Sequence, residues 1–139
     1  GNPARILRWS EEELEVRSRD IDAYVNGLLD GVSEERAAGI QAMYRDLQFP
    51  DILPAFGNII LDGIGRLWVE QTQRPGESTN LWGVFSSAGD PLASVRFPDR
   101  FTPLYLSATH VAGVWRDEMD VEYIWVFDLP GKPWSKGAT

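Results

Sequence analysis

Cysteine is absent from all 139 positions, which excludes disulfides, thiolate metal ligands and a cysteine nucleophile. Histidine is almost absent: His110 is the only one. A site built on several imidazoles, zinc hydrolysis above all, is excluded with it. Basic charge is scarce. Thirteen Lys and Arg stand against twenty-one Asp and Glu, a net charge of −8. Nucleic-acid backbones and anionic membrane surfaces need clustered cations, so no nucleic-acid partner is expected. No apolar run is long enough to span a bilayer, so no membrane insertion is expected. No G-x-S-x-G elbow occurs, and Gly63 and Gly65 lack the rest of a phosphate-binding pattern.

What is present is material for a core: 43% hydrophobic residues and six Trp. The length fits a single domain, residues 1–139. Residues 4–9 (ARILRW) read as a short strand with one wet face. Glu11, Glu12, Glu13 and Glu15 read as a solvated run, and Leu14 and Val16 add a little extended chain. Ser10 with Glu13 forms one candidate capping box. The preferred helix start is later, with Ser18 as N-cap and Asp20 and Asp22 near the N-terminus. Ile21, Tyr24, Val25 and Leu28 then share a face, and Gly31 is the expected C′ residue. Ser33, Glu34 and Glu35 open a second helix, with Ala37, Ile40, Tyr44 and Leu47 on one face. Pro50 stops it. A helical hairpin is therefore expected over residues 18–48.

The rest reads as strands. The stretch from Asn58 to Val69 holds two apolar runs broken by Asp62-Gly63-Ile64-Gly65, a hairpin signal. Strands are expected at 58–62, 66–72, 81–86, 92–97, 104–108, 111–116 and 121–128. Short turns join them, so they form antiparallel meanders rather than βαβ units. This places one sheet over residues 58–98 and a second over 103–129. A poorly ordered tail is expected over 130–139, in which Trp134 is free to dock. Four strands in roughly forty residues is the grouping of a propeller blade.

Several residues invite a chemical reading. Asp117, Glu118, Asp120 and Glu122 form a dense carboxylate cluster of the kind Ca²⁺ prefers. The spacing does not match an EF-hand loop, and a charged hairpin turn explains it more simply. Asp117, Glu118 and Asp120 stand as the candidate metal ligands. No catalytic residue and no cofactor is expected. His110 reads as a polar turn residue. Trp68, Trp82, Trp115 and Trp125 fall in strands, where core packing is the plain reading. By strand alternation Trp82 and Trp125 sit beside core positions. With Tyr105 and Tyr123 they are the candidates for an exposed binding or interface role.

Asp62-Gly63-Ile64-Gly65-Arg66-Leu67-Trp68 resembles the D-x-x-G-x-L-W blade motif of NHL-type β-propellers. The segment from Val84 to Leu92 resembles the following F-D-x-x-G-x-x-L pattern, with Ser86 where Asp is usual. Residues 113–122 resemble the last blade of bacterial six-bladed propellers, which also carry a helical insertion. The resemblance implies a mainly β fold with an α-helical hairpin and about two propeller-blade-like antiparallel meanders. The chain would then be the C-terminal part of such a protein, with residues 4–9 as a spare strand. Extracytoplasmic location is implied by resemblance alone. Bare blade faces would be sticky, so a homodimer or strand-exchanged oligomer is expected. The expected function is a non-enzymatic binding or scaffold module. The alternative is part of a propeller enzyme, lactonase or glycan-processing in type, with a divalent metal in the assembled form.

Overall fold

The structure, a computed structural model, describes residues 14–129. The expected strand 4–9, Glu11 to Glu13 and the tail with Trp134 lie outside the described residues. The protein is mainly β, with two antiparallel sheets and two helices. The chain clusters into two compact units. Within the described residues one comprises 56–71 and 79–129, and the other 14–55 and 72–78.

The second unit holds α1 (Ser18–Leu29) and α2 (Glu34–Arg45). Arg17, not Ser18, is the N-cap of α1. Its N–H donates to the carboxylate of Asp20, 2.9 Å away. That is the reciprocal half of a capping box, with Asp20 at the N3 position where Glu or Gln is usual,. Gly31, at φ +70°, follows the C-cap as expected; a left-handed residue there is easiest for glycine. Ser33 is the N-cap of α2. The helix ends at Arg45, four residues before the chain reaches Phe49 and Pro50. Residues 14–16 and 51–53 pair briefly: Leu53 N–H donates to Leu14 C=O (2.7 Å) and Val16 N–H to Asp51 C=O (2.9 Å). Asp20 is buried at the foot of α1 and takes Arg74 Nη1 at 2.6 Å.

The first unit holds both sheets. β1 (Phe56–Leu61), β2 (Leu67–Gln71), β3 (Leu81–Phe85) and β4 (Pro91–Arg96) form a four-stranded meander. β5 (Phe101–Leu106), β6 (His110–Arg116) and β7 (Glu122–Asp128) form a three-stranded one. β5 begins three residues earlier than expected and contains Pro103, opposite Gly113. The proline is accommodated because β5 lies on a sheet edge, next to a register shift between Pro103 and Tyr105,. Gly113 has its own reason: a Cβ there would overlap the Thr102 carbonyl oxygen and the Phe101 ring. β5 and β6 can close up only with glycine at that place.

The core lies between these sheets. Trp68, Trp82, Val84 and Phe97 meet Phe101, Leu106, Val111 and Leu129 in one cluster. The aromatic rings run on without a break. Trp68 and Trp82 each pack on Phe97 at 6.3 and 6.2 Å between centroids. Phe97 meets Phe101 (5.3 Å), Phe101 meets Phe127 (5.1 Å), and Phe127 meets Trp125 (5.8 Å). Trp125 stacks on Trp115 at 4.4 Å, and Trp115 reaches Tyr123 at 5.7 Å. Such pairs add about 0.5 to 1.5 kcal/mol each beyond the area they bury.

One turn design recurs three times. In the turn from Asp62 to Arg66, Oδ1 of Asp62 accepts the N–H groups of Ile64 (3.1 Å) and Arg66 (2.8 Å). Ser86 Oγ accepts those of Ala88 and Asp90, both at 3.1 Å. Asp117 Oδ1 accepts those of Met119 (2.8 Å) and Val121 (3.0 Å). The fourth residue of each turn is left-handed: Gly65 at φ +83°, Gly89 at +91° and Asp120 at +60°. An oxygen on a short side chain, followed three residues later by a residue that tolerates positive φ, is what this hairpin turn demands.

Candidate functional site

The repeated turns explain where the expected site residues went. Asp117 is not presented to a metal. Its Oδ1 is committed to the turn, and Oδ2 accepts the Tyr123 hydroxyl at 3.2 Å. The Val121 N–H is the largest influence that holds its carboxyl below the ordinary 3.8. Partial burial opposes, while the Met119 N–H, the Tyr123 hydroxyl and the Arg100 charge assist. Glu118 is exposed at the tip, and Asp120 supplies the left-handed residue. Among the described residues no group of three His, Cys, Asp or Glu side chains is placed to hold a metal ion.

Around this turn lies a cleft of about 760 Å³, lined by Asp99, Arg100, Trp115, Arg116, Asp117 and their neighbours. Several of its polar groups are engaged. Arg100 Nη1 donates to Asp117 C=O at 2.6 Å, and Trp115 Nε1 to Asp99 C=O at 3.1 Å. Arg116 holds Glu122 at 2.6 Å. The cleft is a hydrogen-bonded end of the sheet, with one ring face, Trp115, beside it.

The four aromatic candidates are not brought together. Trp82 corrects the expectation of an exposed position: it is 1% exposed. Its Nε1 donates to Asn80 Oδ1 at 2.9 Å. Alternation holds there, but with the opposite face covered: Trp68, Trp82 and Val84 share the inner face of the first sheet. Trp125 is half-buried on the inner face of the second sheet, stacked on Trp115. Tyr123 lies on that same face, 46% exposed, bound to Asp117. Tyr105 alone faces outward, opposite Ala112.

The outer face of the second sheet forms a surface that the single residues did not announce. The register sets Tyr105, Ala112 and Val126 in one row and Thr102, Val114 and Ile124 in the next. Ile124 is 82% exposed, Val126 62% and Tyr105 62%. Polar side-chain pairs bound the face. Arg116 and Glu122 close one end, and His110 Nε2 and Asp128 Oδ1, 3.1 Å apart, close the other. The signal was legible as alternation along β7, where Ile124 and Val126 interleave with Tyr123, Trp125 and Phe127. Both faces of β7 are apolar, and its letters do not say which one is covered.

Two buried polar residues also escaped the reading by residue type. Asp62 is fully buried at its side chain and is bound by Arg66 Nε at 2.5 Å and Trp68 Nε1 at 3.1 Å. Arg66 continues to the Ser107 carbonyl at 3.3 Å, and Gly63 N–H to that of Leu106 at 3.2 Å. Asn80 donates to the carbonyls of Pro98 (3.0 Å) and Phe101 (2.6 Å). Arg66, which Asp62 holds, and Asn80 tie the first sheet to the second. The signal of Asp62 and Asn80 was a short polar residue two or six places before a tryptophan.

The chain matches no protein family, no curated protein and no solved structure.

Proposed function

We propose that this chain is a non-enzymatic binding or scaffold module, a piece of a β-propeller-like protein, and that it pairs with a second copy through the outer face of its three-stranded sheet. The observation that carries the reading is that face: Tyr105, Val114, Ile124 and Val126 side by side, with Ile124 82% exposed. Contiguous apolar side chains rimmed by charges mark association surfaces in folded proteins. The three D-x-x-G-like turns and the blade-sized meanders support the propeller part of the proposal. The enzyme alternative gains no specific observation, because the Asp117 carboxylate it would draw on is engaged by its own turn.

Light scattering on the eluting protein tests this. At about 100 μM, where mass action favours weak dimers, the expected mass is twice 15.6 kDa. Ile124→Glu places a charge at the centre of the face and is expected to return the mass to 15.6 kDa with an unchanged circular dichroism spectrum. A wild-type monomer, or a dimer indifferent to Ile124→Glu, would remove the reading.

A further inference from the structure

Among the described strands, β7 is the longer outer edge of the three-stranded sheet and pairs only with β6. Two bonds bracket its ladder with β6: Leu129 N–H to Thr109 C=O (2.6 Å) and Asp117 N–H to Val121 C=O (3.1 Å). Between them the register runs unbroken from His110 and Asp128 to Arg116 and Glu122. Antiparallel bonding alternates, so residues 123, 125 and 127 bond to β6. The N–H and C=O groups of Glu122, Ile124, Val126 and Asp128 therefore point away from it. Among the described strands none pairs with them. The side chains of the same four residues lie on the outer face, acidic at both ends and apolar between.

We propose that this edge accepts an extended segment of another protein, with apolar residues at two alternate positions flanked on the same face by Lys or Arg. The charge pattern chooses that occupant over a second copy. In full overlap an antiparallel pair of β7 strands sets Glu122 against Asp128 at both ends. Like charges directly opposite destabilise a strand pair, and opposite charges stabilise it. Arg116 and His110 hold the two carboxylates from the β6 side, yet Glu122 remains 57% and Asp128 90% exposed. A carboxylate accepts several hydrogen bonds, so a Lys or Arg of the incoming segment fits beside the partner already there. Main-chain bonds then supply affinity and the alternate side chains specificity. The inference deepens the binding reading but not its dimer: the face can pair with a copy while the edge takes a strand.

Amide hydrogen exchange on the isotope-labelled full chain is the test, with an end-capped seven-residue peptide at about 1 mM. The peptide has lysine at its first and last positions, valine and isoleucine at the third and fifth, and threonine between. A second peptide has glutamate in place of lysine. In the free chain the amides of Ile124 and Val126 are expected to exchange quickly. The basic peptide slows them by about tenfold or more, and the acidic one does not. The double variant E122K/D128K reverses that preference. If it fails to fold, the two peptides on the wild type still decide. Equal protection by both peptides, or by neither, overturns the proposal. So does slow exchange of Ile124 and Val126 in the free chain, which would mean that the edge is already paired. Face pairing is read from Ile124→Glu and mass alone, so the two ideas fail separately.

Discussion

Asp62 shows what one residue does in this protein. Burial pushes its carboxyl up, and the bonds from the Trp68 and Arg66 side chains and from the Arg66 and Ile64 backbone more than reverse this, so its pKa lies below the ordinary 3.8. A depressed carboxyl contributes stability that is whole above the unfolded value and is lost as pH falls through the folded one. Asp62→Asn leaves Arg66 buried without its charge partner. Breaking such a pair is expected to cost about 3 kcal/mol near neutral pH. The gap between wild type and variant in urea melts should close as pH drops below about 4. A gap that stays constant down to the acid limit would show that the charge of Asp62 carries none of its effect. The residue's place in a turn was legible, because Asp-x-x-Gly is a turn pattern. Its burial was not, since that depends on Ser107 and Leu106 arriving some forty positions later.

The elements follow from local chemistry where one rule governs and depart where two compete. Gly31, Gly65 and Gly89 all take the positive φ their positions require. β5 departs, because Pro103 discourages a strand by itself while pairing with Gly113 on a sheet edge permits one. β7 gives the sharpest consequence at this scale. Val126 turns its N–H outward, so Val126→Pro removes no ladder bond with β6 and is expected to shift stability by no more than about 1 kcal/mol. Trp125 turns its N–H inward. Trp125→Pro is expected to cost about 3 kcal/mol more than Trp125→Ala, which controls for the lost ring. Thermal melts of the three variants check this, and a reversed ranking, with Val126→Pro the costlier proline, would place the ladder in the other parity.

In the molecule as a whole, burial is unevenly shared. The sheets hold Trp68, Trp82, Val84, Phe101, Leu106 and Val111 out of water. In α1 the only buried residue is Asp20, and α2 has none. Tyr24, Tyr44 and Phe49 cluster at 5.8 to 6.4 Å between ring centres beside an open groove. Segments with little buried apolar surface open locally at lower free energy than a core. The amides of α1 and α2 are therefore expected to exchange at least about 100-fold faster than those of β2, β3 and β6. Exchange at one common rate would mean the helices open only when the sheets do.

The sequence by itself determined the local grammar. Apolar runs of strand length, short polar oxygens before left-handed residues, and capped amphipathic stretches made two antiparallel meanders and a helical hairpin the expected result. These features act over a few residues, so neighbouring letters suffice. Tertiary structure alone decided which face of each strand is covered. Trp82 and Ile124 both sit in apolar strands of alternating pattern, yet one is 1% and the other 82% exposed. A strand with two apolar faces has no preferred inside until another sheet arrives, and here the sheet that arrives is held by Asp62, Arg66 and Asn80. That long-range contact buried the tryptophan proposed for recognition and left Ile124 and Val126 as the open surface.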